Sequence, residues 1–275
     1  MSIKESFPSF SSVYHEAVRE VMALVPTDLS AIAKHNAGWR TGNFDPRKYL
    51  INSEIRYRHA LDAIKAAGAH SILDVGGFLA AFPLALSRLG FSVAIAEKFS
   101  YYDHALDRVA DLLVANGIRV IDADFTENVD QLPPAALGFD AVTCMAVAEH
   151  LGHTPRFLLE NIAEALCPDG TLIFEVPNLA FWPRRAAFLL KGVSVHSPIA
   201  DVYHSAVPFT GHHREYTLAD ARYVLRESGF LICGEKAFNY SLNTSSPMQI
   251  FKYLPAFLFK EWAEVLMLTA VKRPE

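Results

Sequence analysis

The sequence is short of several things, and each shortage removes a class of protein. Only three cysteines, Cys144, Cys167 and Cys233, stand in 275 residues. Their spacing contains no Cys-x-x-Cys pair and no zinc pattern, so neither a disulfide framework nor a cysteine-ligated metal is expected. A sparse, odd count suits a reducing compartment, and the expected location is cytoplasmic. Cys144 lies in an apolar run and reads as a small buried hydrophobe rather than a nucleophile. Positive charge is not in excess either: 25 Lys and Arg against 30 Asp and Glu give a formal net charge of −5. That balance lacks the basic footprint of a nucleic-acid binder, and Arg184-Arg185 and Lys272-Arg273 read as solvated surface. No apolar run reaches the roughly 18 residues that a membrane span needs. Met1 to Phe10 has no apolar core of the kind a signal peptide carries. Stable membrane insertion is therefore not expected. The Phe- and Leu-rich tail from Met248 to Val271 is interrupted by Lys252, Lys260, Glu261 and Glu264. Core packing is the expected use of its apolar residues, with interfacial membrane contact the lesser reading. Repeats and low-complexity tracts are also missing.

What is present is enough apolar material for a sizeable core: 51% hydrophobic residues against 20% charged. The length fits one large domain with a modest attachment. Up to about residue 68 the pattern is helical, with apolar residues at helix spacing over Val13 to Val25 and Ser53 to Ala67. Between these, Asn36 to Pro46 is rich in Gly, Asn and Asp around Trp39 and Phe44, and reads as a loop or a lid. From Ser71 short apolar runs alternate with amphipathic helices, the mark of βα units and a mostly parallel sheet. Strands are expected at 71–75, 91–96, 118–121, 139–145, 171–176, 230–233 and 265–271. Helices are expected at 101–115 and 157–166, the latter closed by a turn at Cys167-Pro168-Asp169-Gly170. Pro83 suits the first turn of the helix after the first strand. Thr217 with Asp220 makes a capping-box start for a helix ending at Gly229. Asn178 to His213 is a long Pro- and aromatic-containing insertion without clear strands, expected to serve as a lid or binding loop. The expected division is a helical N-terminal segment or lid over 1–68 and a catalytic domain over 69–275 that carries the 178–213 insertion.

Chemistry gathers at the strand ends. Asp74-Val75-Gly76-Gly77 forms a strand-to-helix turn where glycines let backbone approach a ligand closely. Glu97 ends the second strand, where a carboxylate can accept hydrogen bonds from a ribose diol. Asp124 and Phe125 follow the third strand and can meet an adenine. Met145-Ala146 and Glu149-His150-Leu151 follow the fourth. Any one of these carboxylates could merely cap a helix; in this order they describe a nucleoside site. A dinucleotide would want its pyrophosphate cradled by Gly-x-Gly-x-x-Gly. Phe78, Leu79 and Ala80 stand where later glycines would be, which favours a nucleoside without a diphosphate. S-adenosylmethionine fits that description, with Asp74 placed near the ammonium of its tail.

The stretch from Leu73 to Asn178 resembles the class I S-adenosylmethionine-dependent methyltransferases, in particular the broad small-molecule group with Glu-His-Leu after the fourth strand. The resemblance implies a doubly wound α/β fold with a mostly parallel seven-stranded, Rossmann-like sheet, and S-adenosylmethionine as cofactor. It implies that Asp74, Gly76, Gly77, Glu97, Asp124, Phe125, Met145 and Ala146 hold the cofactor. Of the family's glycine-rich loop, Asp74, Gly76 and Gly77 are present, while Phe78 and Ala80 replace later glycines.

Methyl transfer from a sulfonium needs alignment and exclusion of water, and a hydroxyl acceptor also needs a base. His150, oriented by Glu149, and His213 in Gly211-His212-His213-Arg214-Glu215-Tyr216 are the candidates. A loop held by Arg214–Glu215 bonding is the plain alternative for the second cluster. His196 and His204, in the insertion, are weaker candidates. The His and acid spacing matches no standard metal site, so no metal is expected. Trp39, Tyr49, Arg56 and Tyr57 could close over the cofactor, and ordinary helix packing accounts for them equally well. The expected activity is O-methylation of a small polar acceptor, with a sugar or glycoconjugate as one class; no Asn-Pro-Pro-Tyr segment of N-methylating relatives follows the fourth strand. The alternatives are a non-catalytic S-adenosylmethionine-binding protein and a NAD or nucleotide-sugar enzyme with a degenerate loop. The expected partner is a small-molecule acceptor, without nucleic acid; a homodimer stays open.

Overall fold

Four helices lead the chain: α1 (Phe10–Leu24), α2 (Ser30–Ala33), α3 (Pro46–Asn52) and α4 (Glu54–Ala66). The βα units follow as β1 (Ser71–Val75), α5 (Ala81–Arg88), β2 (Ser92–Ala96), α6 (Asp107–Ala115), β3 (Arg119–Ile121), β4 (Phe139–Met145), α7 (Arg156–Ala165) and β5 (Leu166–Pro177). The remainder is α8 (Trp182–Lys191), α9 (Ile199–Tyr203), α10 (Leu218–Glu227), β6 (Phe230–Phe238), α11 (Pro247–Leu258) and β7 (Val265–Lys272). These elements come from a computed structural model that describes residues 9–33, 45–128, 131–205, 207, 209–242 and 246–273.

The seven strands form one sheet in the order β3-β2-β1-β4-β5-β7-β6. Pairing is parallel from β3 through β5, while β7 runs antiparallel to both β5 and β6. The doubly wound, mostly parallel sheet expected from the alternating runs is present. Its central strands are buried on both faces, which is why β1 and β4 read as continuous apolar runs rather than alternating ones. One core lies under α1, α4, α5 and α6, from Tyr14, Ile64 and Phe82 to Ile72 and Ile95. The second lies under α7 and α10, from Leu158 and Leu225 to Leu73 and Phe174. The order reverses between β1 and β4, and the crevice at such a switch point is where open α/β sheets bind ligands.

Local signals account for the boundaries. Ser9 caps α1, accepting from Ser12 N at 3.2 Å, and Val13, Tyr14, Ala17, Val18 and Val21 make its buried stripe. The capping box of Thr217 and Asp220 starts α10 as expected. Pro83 falls in the first turn of α5.

Four expectations need correction. The helix over 101–115 is instead a 3₁₀ turn, Phe99–Tyr102, followed by α6. Asp103 (φ 47°) and His104 (φ 67°) take left-handed conformations that no continuous helix accommodates. The turn at Cys167–Gly170 is absorbed into β5 as an irregularity: Leu166 pairs with Phe139 and Thr171 with Ala141, around Asp169 at φ 62°. The insertion is not structureless, since it contains α8 and α9. The Phe- and Leu-rich tail divides in two. Its β7 half is core, with Val265, Leu266, Met267, Leu268 and Ala270 buried, but α11 buries only Ala256. Among the described residues no helix is long and apolar enough to cross a membrane. Trp39, Phe44 and the rest of the Gly- and Asn-rich loop up to 44 lie outside the described residues.

Candidate functional site

The carboxyl ends of β1, β2, β3, β4 and β5 open into one cavity of about 830 Å³. Gly76, Gly77, Glu97, Asp124, Phe125, Met145, Ala146, Glu149, His150 and His213 all line it. Residues far apart in sequence meet here because parallel strands all end on the same edge.

The turn after β1 makes the floor. Gly76 (φ 71°) bonds from its N–H to Ala96 O at 3.0 Å, and a Cβ there would lie 2.6 Å from Val147 Cγ2. A Cβ on Gly77 would collide with the Asp74 carboxylate. Both positions require glycine, one for conformation and space, the other for space alone. Phe78 (φ 49°) and Ala80 (φ 57°), which replace later glycines, adopt the left-handed conformation regardless. That costs about 1–2 kcal/mol each. Part of the compensation at Phe78 is its N–H donating to Glu97 Oε2 at 2.8 Å.

Glu97 also accepts from Lys98 N at 3.1 Å and Tyr102 Oη at 3.3 Å. Burial raises its pKa, and these donors oppose the rise. Asp124 Oδ1 accepts from Thr126 N (2.9 Å) and Oγ1 (2.6 Å), and Oδ2 from Tyr101 Oη (2.8 Å). Burial alone would raise its pKa, but the bonds from Thr126 and Tyr101 hold it below the usual carboxylate range. Asn161 Nδ2 donates to the carbonyls of Phe125 and Glu127, both at 2.9 Å, and so fixes the loop that carries Phe125.

Asp74 lies beneath the Gly76–Gly77 turn. It is absent from the cavity lining. Its carboxyl sits beneath Gly77, takes a 2.5 Å bond from Thr143 Oγ1, and is pushed up to about 7 by burial. Thr143 is the residue opposite Asp74 on the neighbouring strand β4, so strand pairing sets this contact.

The opposite end of the cavity carries a Glu–His cluster. Glu149 is 1% exposed, and its Oε2 has no hydrogen-bond partner among the described residues. Burial pushes that carboxyl up to about 7. His150 Nδ1 lies 3.2 Å from Thr210 O, and burial pushes the ring down to about 4. His212 Nδ1 lies 2.8 Å from Glu215 Oε1, and its Nε2 lies 4.0 Å from Glu149 Oε1. Burial opposes charging His212, but Glu215 and Glu149 hold its pKa above the ordinary value. His213 Nε2 lies 2.7 Å from Phe209 O. His213 N–H donates to Glu149 O at 2.7 Å, tying the two halves of the cluster together. The plain alternative for this loop does not hold: Glu215 bonds to Arg184 and His212, not Arg214. His196 and His204 are outside the cavity lining.

Tyr49, Arg56 and Tyr57 line the cavity. Three residues were missed by sequence reasoning. Glu175, at the end of β5, forms a buried two-point pair with Arg56, both bonds 2.9 Å. It is a strand-end carboxylate like Glu97, so the same signal points to it. Tyr240 also lines the cavity, with Arg56 5.6 Å from its ring centre. His212, rather than its neighbour His213, faces Glu149; adjacent identical residues offer no sequence signal for that choice.

A family profile described as a methyltransferase domain matches residues 16–233. No curated protein matches the chain in sequence. Similar solved structures include an S-adenosylmethionine dependent methyltransferase from Mesorhizobium loti, at 17% identity and TM-score 0.51 over 80% of this chain and 98% of that one. Another is magnesium protoporphyrin IX methyltransferase from Synechocystis PCC 6803 with bound SAH, at 16% identity and TM-score 0.53 over 89% and 98%. A third is an S-adenosylmethionine-dependent methyltransferase from Clostridium acetobutylicum ATCC 824, at 10% identity and TM-score 0.51 over 86% and 95%. At these identities the structural likeness is one of fold. The profile spans most of the chain, and on that ground the chain belongs to the methyltransferase-domain family, as a class I enzyme with S-adenosylmethionine as its cofactor.

Proposed function

We propose that this methyltransferase acts on an oxygen of a small polar acceptor, with sugar or glycoconjugate hydroxyls as the leading class. The observation that carries this reading is a single cavity with two chemically different ends: Glu97 and Asp124 at one, Glu149, His150 and His213 at the other.

The residues at the first end fit the cofactor. The turn at Gly76 and Gly77 is a cradle that any Cβ would fill. With three donors on about four acceptor sites, Glu97 keeps about one that can accept from a ribose hydroxyl, and its carboxylate is aimed by Phe78 N, Lys98 N and Tyr102 Oη. Asp124 and Phe125 border the adenine position, and Met145 and Ala146 the methionine part. Asp74 acts from below as a positioning residue, holding the turn through its contact with Gly77. When bound, S-adenosylmethionine supplies an electrophilic methyl group on a positively charged sulfur. Arg56, Tyr57 and Tyr49 close one wall and exclude water.

At the second end Glu149 and His150 orient the acceptor hydroxyl. His213, with Nε2 donating to Phe209 O, presents Nδ1 to receive the hydroxyl proton. The absence of an Asn-Pro-Pro-Tyr segment after β4 supports oxygen over nitrogen.

Calorimetry with S-adenosylhomocysteine tests the cofactor half. Glu97→Ala is expected to weaken binding by about 10- to 100-fold, the loss of a charge-assisted contact. Binding unchanged by that substitution overturns the assignment. Transfer of labelled methyl across a panel of hydroxyl and amine acceptors tests the rest, and transfer to amines alone would reject an oxygen acceptor.

A further inference from the structure

We propose that Glu149, His150 and His212 bind one first-row divalent cation at the acceptor end of the cavity. Ligand atoms from the three side chains all lie within 4.8 Å of one another. One edge, His212 Nε2 to Glu149 Oε1, is 4.0 Å, and the centre of an even-sided triangle with edges of up to about 4.8 Å lies no more than about 2.8 Å from each corner, against metal–nitrogen and metal–oxygen bonds of about 2.0–2.2 Å. Small side-chain rotations close that gap.

Two further observations point to a ligand. Glu149 Oε2 is buried and has no hydrogen-bond partner among the described residues. Leaving a buried carboxylate oxygen unmatched is costly, and such groups are rare without a reason. Both histidines also have the outer contacts that metal-bound imidazoles have. His212 Nδ1 meets Glu215, which is itself paired with Arg184. His150 Nδ1 meets Thr210 O. With each Nδ1–H donated outward, the lone pair falls on Nε2.

One carboxylate and two imidazoles form a borderline donor set, suited to Mn²⁺, Fe²⁺, Co²⁺ or Zn²⁺ rather than to an all-oxygen cation. Three protein ligands leave positions open, the arrangement of a working site rather than a structural one. The function of the cation rests on the methyltransferase reading; its binding does not. Coordination of the acceptor oxygen would lower the hydroxyl pKa. The hydroxyl proton would pass to His213 Nδ1 and on to water, and the O–CH₃ bond would form as the S–CH₃ bond of the cofactor breaks, leaving a neutral thioether. In this refinement Glu149 and His150 orient the acceptor through the ion.

The test uses the full chain, stripped with chelator, without cofactor or acceptor. Co²⁺ is titrated and followed by its visible absorption, with thermal unfolding as a check on folding. Wild type is expected to bind one Co²⁺ per chain. Glu149→Gln and His212→Asn are each expected to weaken binding at least tenfold. His153→Gln, an exposed histidine outside the triad, should bind as wild type does. Should Glu149→Gln fail to fold, His212→Asn decides, since that ring is partly exposed. Less than one Co²⁺ per chain in wild type, or equal affinity in a folded His212→Asn variant, overturns the site. S-adenosylhomocysteine calorimetry on the same samples separates the two readings: cofactor binding without Co²⁺ binding rejects only the metal, and the reverse rejects only the role assigned to it.

Discussion

Arg56 and Phe251 sit at opposite extremes of this molecule: a guanidinium residue 3% exposed and a phenyl residue 79% exposed. The first belongs to the carboxyl edge of the sheet, where Arg56, Asp74, Glu97, Glu149 and Glu175 are all buried. The second belongs to the outer pair α8 and α11, where Leu189, Leu190, Met248 and Phe251 face outward. The edge tolerates charge because nearly every group is matched, as in the two-point Arg56–Glu175 pair. The outer pair is joined by Trp182 Nε1, which donates to Lys252 O at 3.0 Å. Polarity alone therefore predicts neither burial nor energetic weight. What matters is whether a group's partners would be left stranded by its removal.

The comparison is sharpest at Arg56. Arg56→Ala should destabilise the fold by about 3–5 kcal/mol, because Glu175 is left as an uncompensated buried charge. Denaturant unfolding measures it, and Glu175→Gln in the same chain should return part of the loss. A cost under about 1 kcal/mol would show that the edge relaxes around stranded charge and would remove the contrast.

Asp74 gives the next largest effect and adds pH to it. Burial raises its carboxyl in the folded state to about 7, above the unfolded value of 3.8. The folded chain then holds a proton that the unfolded chain has lost. Stability from this group is complete below about pH 4 and falls as pH rises toward 7. Asp74→Asn should remove that decline, so its stability relative to wild type rises across the same window by as much as a few kcal/mol. Parallel curves from pH 4 to 7 would mean that Asp74 ionises normally in the fold.

The smallest effects belong to the outer pair. Leu190→Ser and Phe251→Ser should each change stability by no more than about 0.5 kcal/mol, since little apolar area is covered there. A loss above about 2 kcal/mol in thermal or denaturant unfolding would reveal a covering surface and bring the two regions closer together.

Much of this was legible in advance, for identifiable reasons. β1 and β4 have the expected limits because a strand buried on both faces must be apolar throughout. Glu97 was legible because it directly follows the last residue of a parallel strand, where the chain leaves the sheet at the cleft edge. The helix start at Thr217 was legible from a capping box that uses only local bonds. Asp74 was legible in identity but not in direction, because its partner Thr143 stands 69 residues away and meets it only through the pairing of β1 with β4. Arg56 and Glu175 stand 119 residues apart, and no local pattern couples them. Sequence reasoning placed α11 in the core because an amphipathic segment shows which face is apolar, not what will cover it.

The chain by itself determined the βα alternation, the carboxylates at strand ends and the two glycines of the first turn, since backbone conformation and hydrophobic periodicity act over a few residues. Tertiary structure alone decided that His212 rather than His213 faces Glu149, that Arg56 meets Glu175, and that α8 and α11 are left largely exposed among the described residues. Those outcomes depend on how distant elements pack, and packing selects among neighbours that local chemistry leaves equivalent.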